Sequence, residues 1–124
     1  MTDEAYFFDT YALIEILRKN PQFQRYVGLG AALTKLNLFE LYCALRRDGK
    51  SRQSASAAVR IAAGYRVGLV MGDMERAAEM WLSKRKQDLS MTDCVGYVIA
   101  KRLGVKFLTG DRQFKDMPNV EYVK

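Results

Sequence analysis

The sequence predicts an α/β fold, a central parallel sheet flanked by helices. Short apolar runs alternate with longer segments of helical hydrophobic spacing, the pattern of parallel strands joined by right-handed helical crossovers. Acids stand where several of these runs end, at the edge where open α/β sheets place their ligands. With 124 residues, 49% hydrophobic and 27% charged, the chain is expected to form one domain over residues 1–124 with a core of its own.

The first strand is Ala5 to Phe8, ending at Asp9-Thr10. The helix after it places Leu13, Ile14 and Leu17 on one face and closes at Arg18-Lys19-Asn20-Pro21. Asp9 thus sits at a strand-to-helix junction, where a carboxylate also serves as an N-cap. Pro21 to Val27 reads as a short helix, and Gly28 and Gly30 precede a second strand over Ala31 to Lys35. A helix opened near Asn37 and closed at Gly49 follows, with Leu38, Leu41, Tyr42 and Leu45 at helical spacing. Glu40 falls in its first turn, three residues after Asn37, a spacing that also fits a capping box.

Ser51 opens an Ala-rich helix to Ala63, stopped by Gly64, and Tyr65 to Met71 reads as a third strand. Asp73 is then expected to cap a helix carrying Met74, Ala77, Ala78, Trp81 and Leu82. Lys84-Arg85-Lys86 suits that helix's carboxyl end and would equally meet phosphate. The stretch Leu89 to Phe114 organises the rest. Ser90 opens a helix with Asp93 in its first turn, a Ser-x-x-Asp capping-box pattern, and Gly104 stops it. A buried strand over Val105 to Leu108 leads to an acidic turn at Asp111, where Gly110 supplies turn freedom, and Val120 to Val123 forms the last strand.

Histidine is absent, which excludes Ser/His/Asp hydrolysis, histidine zinc sites and histidine acid–base catalysis. Carboxylate chemistry remains. Cys43 and Cys94 lie inside apolar helical patterns and read as small hydrophobic residues rather than a disulfide. A net charge of +6 and a pI near 9.4 suit a polyanionic partner such as RNA. No apolar run is long enough for a bilayer, and MTDEAYFFDT has neither the basic region nor the cleavage site of a secretory signal, so the cytoplasm is the expected location.

Asp9, Glu40, Asp93 and Asp111 all fall at strand carboxyl ends or helix first turns, which share one edge of a parallel sheet. Four carboxylates at one mouth repel one another unless cations compensate, and Mg²⁺ or Mn²⁺, hard ions that prefer oxygen donors, are the natural compensators. Such ions activate water and brace a phosphodiester without a basic side chain. Thr10, Ser90 and Thr109 are candidates for orienting the carboxylates or holding bound water, although Ser90 also suits a cap. Asp116 is a possible outer acid or a surface residue, and Arg112 a phosphate contact or the partner in a surface salt bridge.

The segments FFDTYALIEIL, NLFELYCAL, LSMTDCVGYVIAKRLGV and FLTGDRQF, in this order, resemble the signature of the PIN domain, most closely its small prokaryotic VapC toxins. The resemblance spans nearly the whole chain. It implies an α/β/α sandwich and a Mg²⁺-dependent endoribonuclease using Asp9, Glu40, Asp93 and Asp111, frequent homodimers, and a cognate antitoxin that occupies the active-site groove. The alternatives are a PIN-type nuclease of RNA processing, a non-catalytic RNA-binding or assembly module whose acids only cap helices, and a phosphoacceptor domain built on Asp73.

Overall fold

The computed structural model describes residues 4–124; residues 1–3 of the expected domain lie outside them. Its elements run β1 (Ala5–Phe8), α1 (Thr10–Leu17), α2 (Pro21–Gln24), β2 (Gly30–Ala32), α3 (Lys35–Arg47), α4 (Arg52–Ala62), α5 (Met71–Ser83), α6 (Met91–Leu103), β3 (Lys106–Thr109) and β4 (Val120–Tyr122). The four strands form one sheet in the order β2-β1-β3-β4, and every pair is parallel. Phe7 pairs with Ala32 on one side and Phe107 on the other.

Both faces of this sheet are covered, as the alternation of side chains along a strand requires. Phe7 and Phe107 point into a core shared with Cys94, Tyr97, Ile99 and Phe114, while Tyr6, Phe8 and Leu108 point into a second core with Ala12, Phe23 and Tyr26. The helices thus lie on two sides of a central sheet, the α/β/α arrangement the sequence predicts. Each fully buried aromatic contributes roughly 1.5–3 kcal/mol relative to exposure. Helix α6 reaches the sheet closely because Gly96 has no side chain: a Cβ there would stand 2.6 Å from Phe7 Cε1 and 3.1 Å from Phe107 Cε1.

The organising helix begins and ends as expected. Ser90 Oγ accepts from the Asp93 N–H at 3.0 Å, and Gly104 takes the left-handed conformation (φ 73°) that stops α6. The following strand starts one residue later than expected. Ser51 caps α4 by accepting from the Ser54 N–H at 3.0 Å.

Several expectations are corrected. Tyr65 to Met71 is not a strand: it contributes an isolated bridge, Arg66 to Leu33, and Met71 already begins α5. Gly68 interrupts the run, and Leu69 and Val70 are exposed, so β-prone side chains there have no neighbouring strand to pack against. Helix α3 opens at Lys35 with Thr34 as its cap, which shortens the preceding strand to Gly30–Ala32. Asn37 faces backward, its Oδ1 accepting from the Thr34 N–H at 2.9 Å, and does not form a box with Glu40.

Asp73 does not cap its helix; Val70 holds that position. The Asp73 carboxylate, fully buried, accepts from the Val70 N–H at 3.0 Å and is gripped by Arg102, Nε to Oδ1 at 2.8 Å and Nη2 to Oδ2 at 2.9 Å. Arg102 also donates to the Gly68 carbonyl at 3.0 Å, so this fork ties the irregular 66–70 segment to α5 and α6. With no strand before Asp73 and two arginines on its carboxylate, the phosphoacceptor reading falls.

Candidate active site

The sheet edge formed by the carboxyl ends of β1 and β3 carries Asp9 and Asp111. Asp9 follows β1, with its N–H donated to the Leu108 carbonyl at 3.2 Å, and caps α1 through Oδ1, which accepts from the Ala12 N–H at 2.7 Å. It is 1% exposed. Asp111 lies two residues past β3; its N–H donates to Thr109 Oγ1 at 2.9 Å and its Oδ1 accepts from the Gln113 N–H at 2.9 Å, which makes the acidic turn an Asx turn. Phe114 anchors this turn in the core, its ring 4.9 Å from that of Phe107. Gly110 lies under the ring of Tyr11 without a left-handed torsion: a Cβ there would fall 2.2 Å from Tyr11 Cε1, so a side chain would displace that half-exposed ring.

Asp93, in the first turn of α6, and Glu40, in the second turn of α3, complete the group. Thr10 Oγ1 donates to Glu40 Oε1 at 2.6 Å, and Asn37 Nδ2 donates to that Oγ1 at 3.2 Å. Burial pushes Asp93 up to about 6, aided by the charges of Glu40 and Asp111 and opposed by the Ser90 hydroxyl. Burial also holds Asp9 well above the usual carboxylate range; the charges of Asp93 and Asp111 add to this, against hydrogen bonding by Thr109 and the Ala12 N–H. The charges of Asp93 and Asp111 thus act on Asp9, and those of Glu40 and Asp111 on Asp93.

Among the described residues none of the four pairs with a lysine or arginine. Nor do three acidic or thiol side chains among those residues stand close enough to make a ready-formed metal cluster. The acids couple at a distance. A group of hard oxygen donors, two of them resisting ionisation and none neutralised by a protein cation among the described residues, fits a divalent hard cation in the chemistry of its donors. Asp9, Glu40, Asp93 and Asp111 are the residues that would hold it.

The supporting residues divide. Thr10 meets Glu40, Thr109 links Asp9 with Asp111, and Ser90 caps α6. Arg112 is exposed on a short 3₁₀ turn directly after Asp111. Asp116 is not brought to the acids: it is exposed and lines a cavity of about 820 Å³ with Arg76, Lys84 and Lys101, beside the carboxyl-terminal half of α6. Sequence reasoning missed the part of Asn37, 1% exposed and hydrogen-bonded toward the site; its signal is the three-residue spacing from Thr34.

Comparison with solved structures finds the same fold at low identity. A chain of the Mycobacterium tuberculosis VapC20 structure, described as a sarcin–ricin loop cleaving toxin, superimposes with a TM-score of 0.79 at 16% identity, covering 96% of this chain and 99% of that one. A chain of VapBC2 from Rickettsia felis, bound to a promoter DNA fragment, gives 0.72 at 14% identity, covering 97% and 99%. One of DNA-bound VapBC from Salmonella typhimurium gives 0.71 at 15%, covering 96% of each. A search of curated protein sequences returned no match. The PIN domain family model matches residues 6–120, nearly the whole chain, and on that match the protein belongs to the PIN-domain family.

Proposed function

We propose that this protein is a Mg²⁺- or Mn²⁺-dependent endoribonuclease and the toxin of a toxin–antitoxin pair. The observation that supports the reading is a set of four carboxylates without a cationic side-chain partner among the described residues, two of which, Asp9 and Asp93, are pushed up by burial and by the charges of the other acids. When bound there, the divalent ion supplies a water of lowered pKa and braces the oxygens of an RNA phosphodiester. Asp9 and Asp93 would hold the ion from the two helix starts, Asp111 from the turn after β3, and Glu40 from α3. Thr10 and Thr109 fix carboxylate orientation, and the basic surface, Arg112 included, draws in the polyanion.

Two apolar surfaces suit the partners. A groove of about 440 Å³, flanked by exposed Leu17, Val27, Ile61 and Tyr65 and lined by none of the four acids, suits the apolar face of an antitoxin helix outside the active-site groove that the resemblance implies, and the structural neighbours from Rickettsia and Salmonella are VapBC assemblies. On α5 and α6, Met74, Trp81, Leu82 and Met91 line a face without a charged residue. For a chain of net charge +6, this uncharged lining lets a second copy approach without like-charge repulsion, and the proposal assigns the homodimer contact to it.

The test is cleavage of a pool of structured cellular RNAs by partner-free protein, with Mg²⁺, with Mn²⁺ and with EDTA. Asp9→Asn and Asp93→Asn should each lower cutting by more than ~100-fold while staying folded, since even outer-shell changes around a metal cost 10–100-fold. Cutting that persists in EDTA, or in both variants, would refute the proposal.

A further inference from the structure

Asn37 sits at the start of α3 with its side chain almost completely out of solvent, and its hydrogen bonds have a fixed direction. The Thr34 backbone N–H can act only as a donor, so the oxygen of the Asn37 amide faces it, at 2.9 Å, and also receives the Thr34 hydroxyl at 3.0 Å. The amide nitrogen therefore faces Thr10 Oγ1, at 3.2 Å, and donates to it. A threonine hydroxyl carries one proton. With Asn37 donating to its oxygen, that proton is committed to Glu40 Oε1, 2.6 Å away.

Reversal of any one bond would leave two donors or two acceptors facing each other. Thr10 directly follows Asp9 in the chain, whereas Asn37 and Glu40 belong to α3, so the path Thr34–Asn37–Thr10–Glu40 registers two elements that each carry an acid of the site. We propose that Asn37 is a positioning residue for Glu40, acting through the Thr10 hydroxyl to hold the Glu40 carboxylate where it shares a divalent cation with Asp93. This rests on the nuclease reading above. It differs from the capping role that the Thr34 bond alone assigns to Asn37, because a cap stabilises α3 without regard to Glu40.

The test is Mg²⁺ and Mn²⁺ binding to the partner-free full chain by titration calorimetry, for wild type, Asn37→Ala, Thr10→Val, Thr10→Ser and the Asn37→Ala/Thr10→Val double variant. Asn37→Ala and Thr10→Val should each weaken binding by ~10-fold, the double variant no more than Thr10→Val alone, and Thr10→Ser, which keeps the hydroxyl, should bind within about twofold of wild type. Should Asn37→Ala not fold, Asn37→Ser is read in its place, its hydroxyl still able to cap but too short to reach Thr10. Wild-type affinity in the Asn37 variant with a lowered melting temperature would overturn the proposal and leave a cap. Losses that add in the double variant would overturn the path through Thr10. Absence of metal binding by wild type would instead overturn the nuclease reading itself.

Discussion

Asp9 and Asp73 are both buried aspartates in the opening turn of a helix, 1% and 0% exposed, and each accepts a backbone N–H. Their other neighbours differ. Asp73 faces two arginines, and although burial would raise its carboxyl, the Arg102 hydrogen bonds bring it below the usual range. Asp9 is held well above that range, first by burial and then by the charges of Asp93 and Asp111. Burial and helix position are shared, so the partner sets the role: one acid fastens the fold, and the other is left with a charge that the protein does not neutralise.

The comparison breaks most sharply if Asp73 is made to resemble Asp9. Arg102→Met removes the fork and leaves a buried carboxylate with only the more exposed Arg76, at an expected cost of roughly 3–5 kcal/mol in urea unfolding. Adding Asp73→Asn should recover part of that loss. A cost under about 1 kcal/mol would show the pair to be energetically idle.

The reverse change sharpens it. Asp93, pushed up to about 6, keeps its proton when folded over an interval in which the unfolded chain, near the ordinary 3.8, has lost it. Between those values the folded state binds more protons, so metal-free protein loses stability as the pH rises, by roughly 3 kcal/mol once both states are ionised. Asp9 acts in the same direction. Asp93→Asn should therefore flatten this decline and raise the metal-free unfolding free energy at pH 7.5 by about 1–3 kcal/mol. Mg²⁺ at 100 times its dissociation constant should stabilise wild type by ~2.7 kcal/mol and the variant by much less. A variant less stable than wild type at that pH without metal would contradict the repulsion.

A smaller effect tests the layer that carries Asp93. Gly96→Ala places a methyl against Phe7 and Phe107 and should cost about 1–3 kcal/mol, read by thermal unfolding. A neutral result would mean that α6 shifts freely over the sheet.

Features set by neighbours in the chain were legible in the sequence. Ser90 and Gly104 delimit α6 through bonds and torsions within a few residues, and Asp9, Asp93 and Asp111 stand where an apolar strand ends or a helix begins, as their local sequence marks them. Glu40 instead falls in the second turn of α3 and not the expected first, because that helix opens earlier, at Lys35. Features decided across the fold were not. Asp73 has the local signature of a cap, but its partner Arg102 is 29 residues away. Val67, Leu69 and Val70 favour a strand by composition, yet β2 pairs with β1 and offers them no continuous partner. Asn37 stands three residues from both Thr34 and Glu40, and the spacing alone does not choose between them; the structure turns its amide to Thr34 and, through Thr10, connects it to Glu40 by another route.

The missing side chain at position 96 has a reach beyond packing. Gly96 is one helical turn from Asp93 on the same side of α6, so the aromatic layer beneath it acts as a height gauge for the carboxylate. A substitution that thickened that layer would lift the acid away from Asp9 without touching a polar atom. Phe7 and Phe107, which have no chemistry of their own, thereby become dimensional tolerances of the active centre, and freedom to vary the core is rationed by the geometry of the site above it.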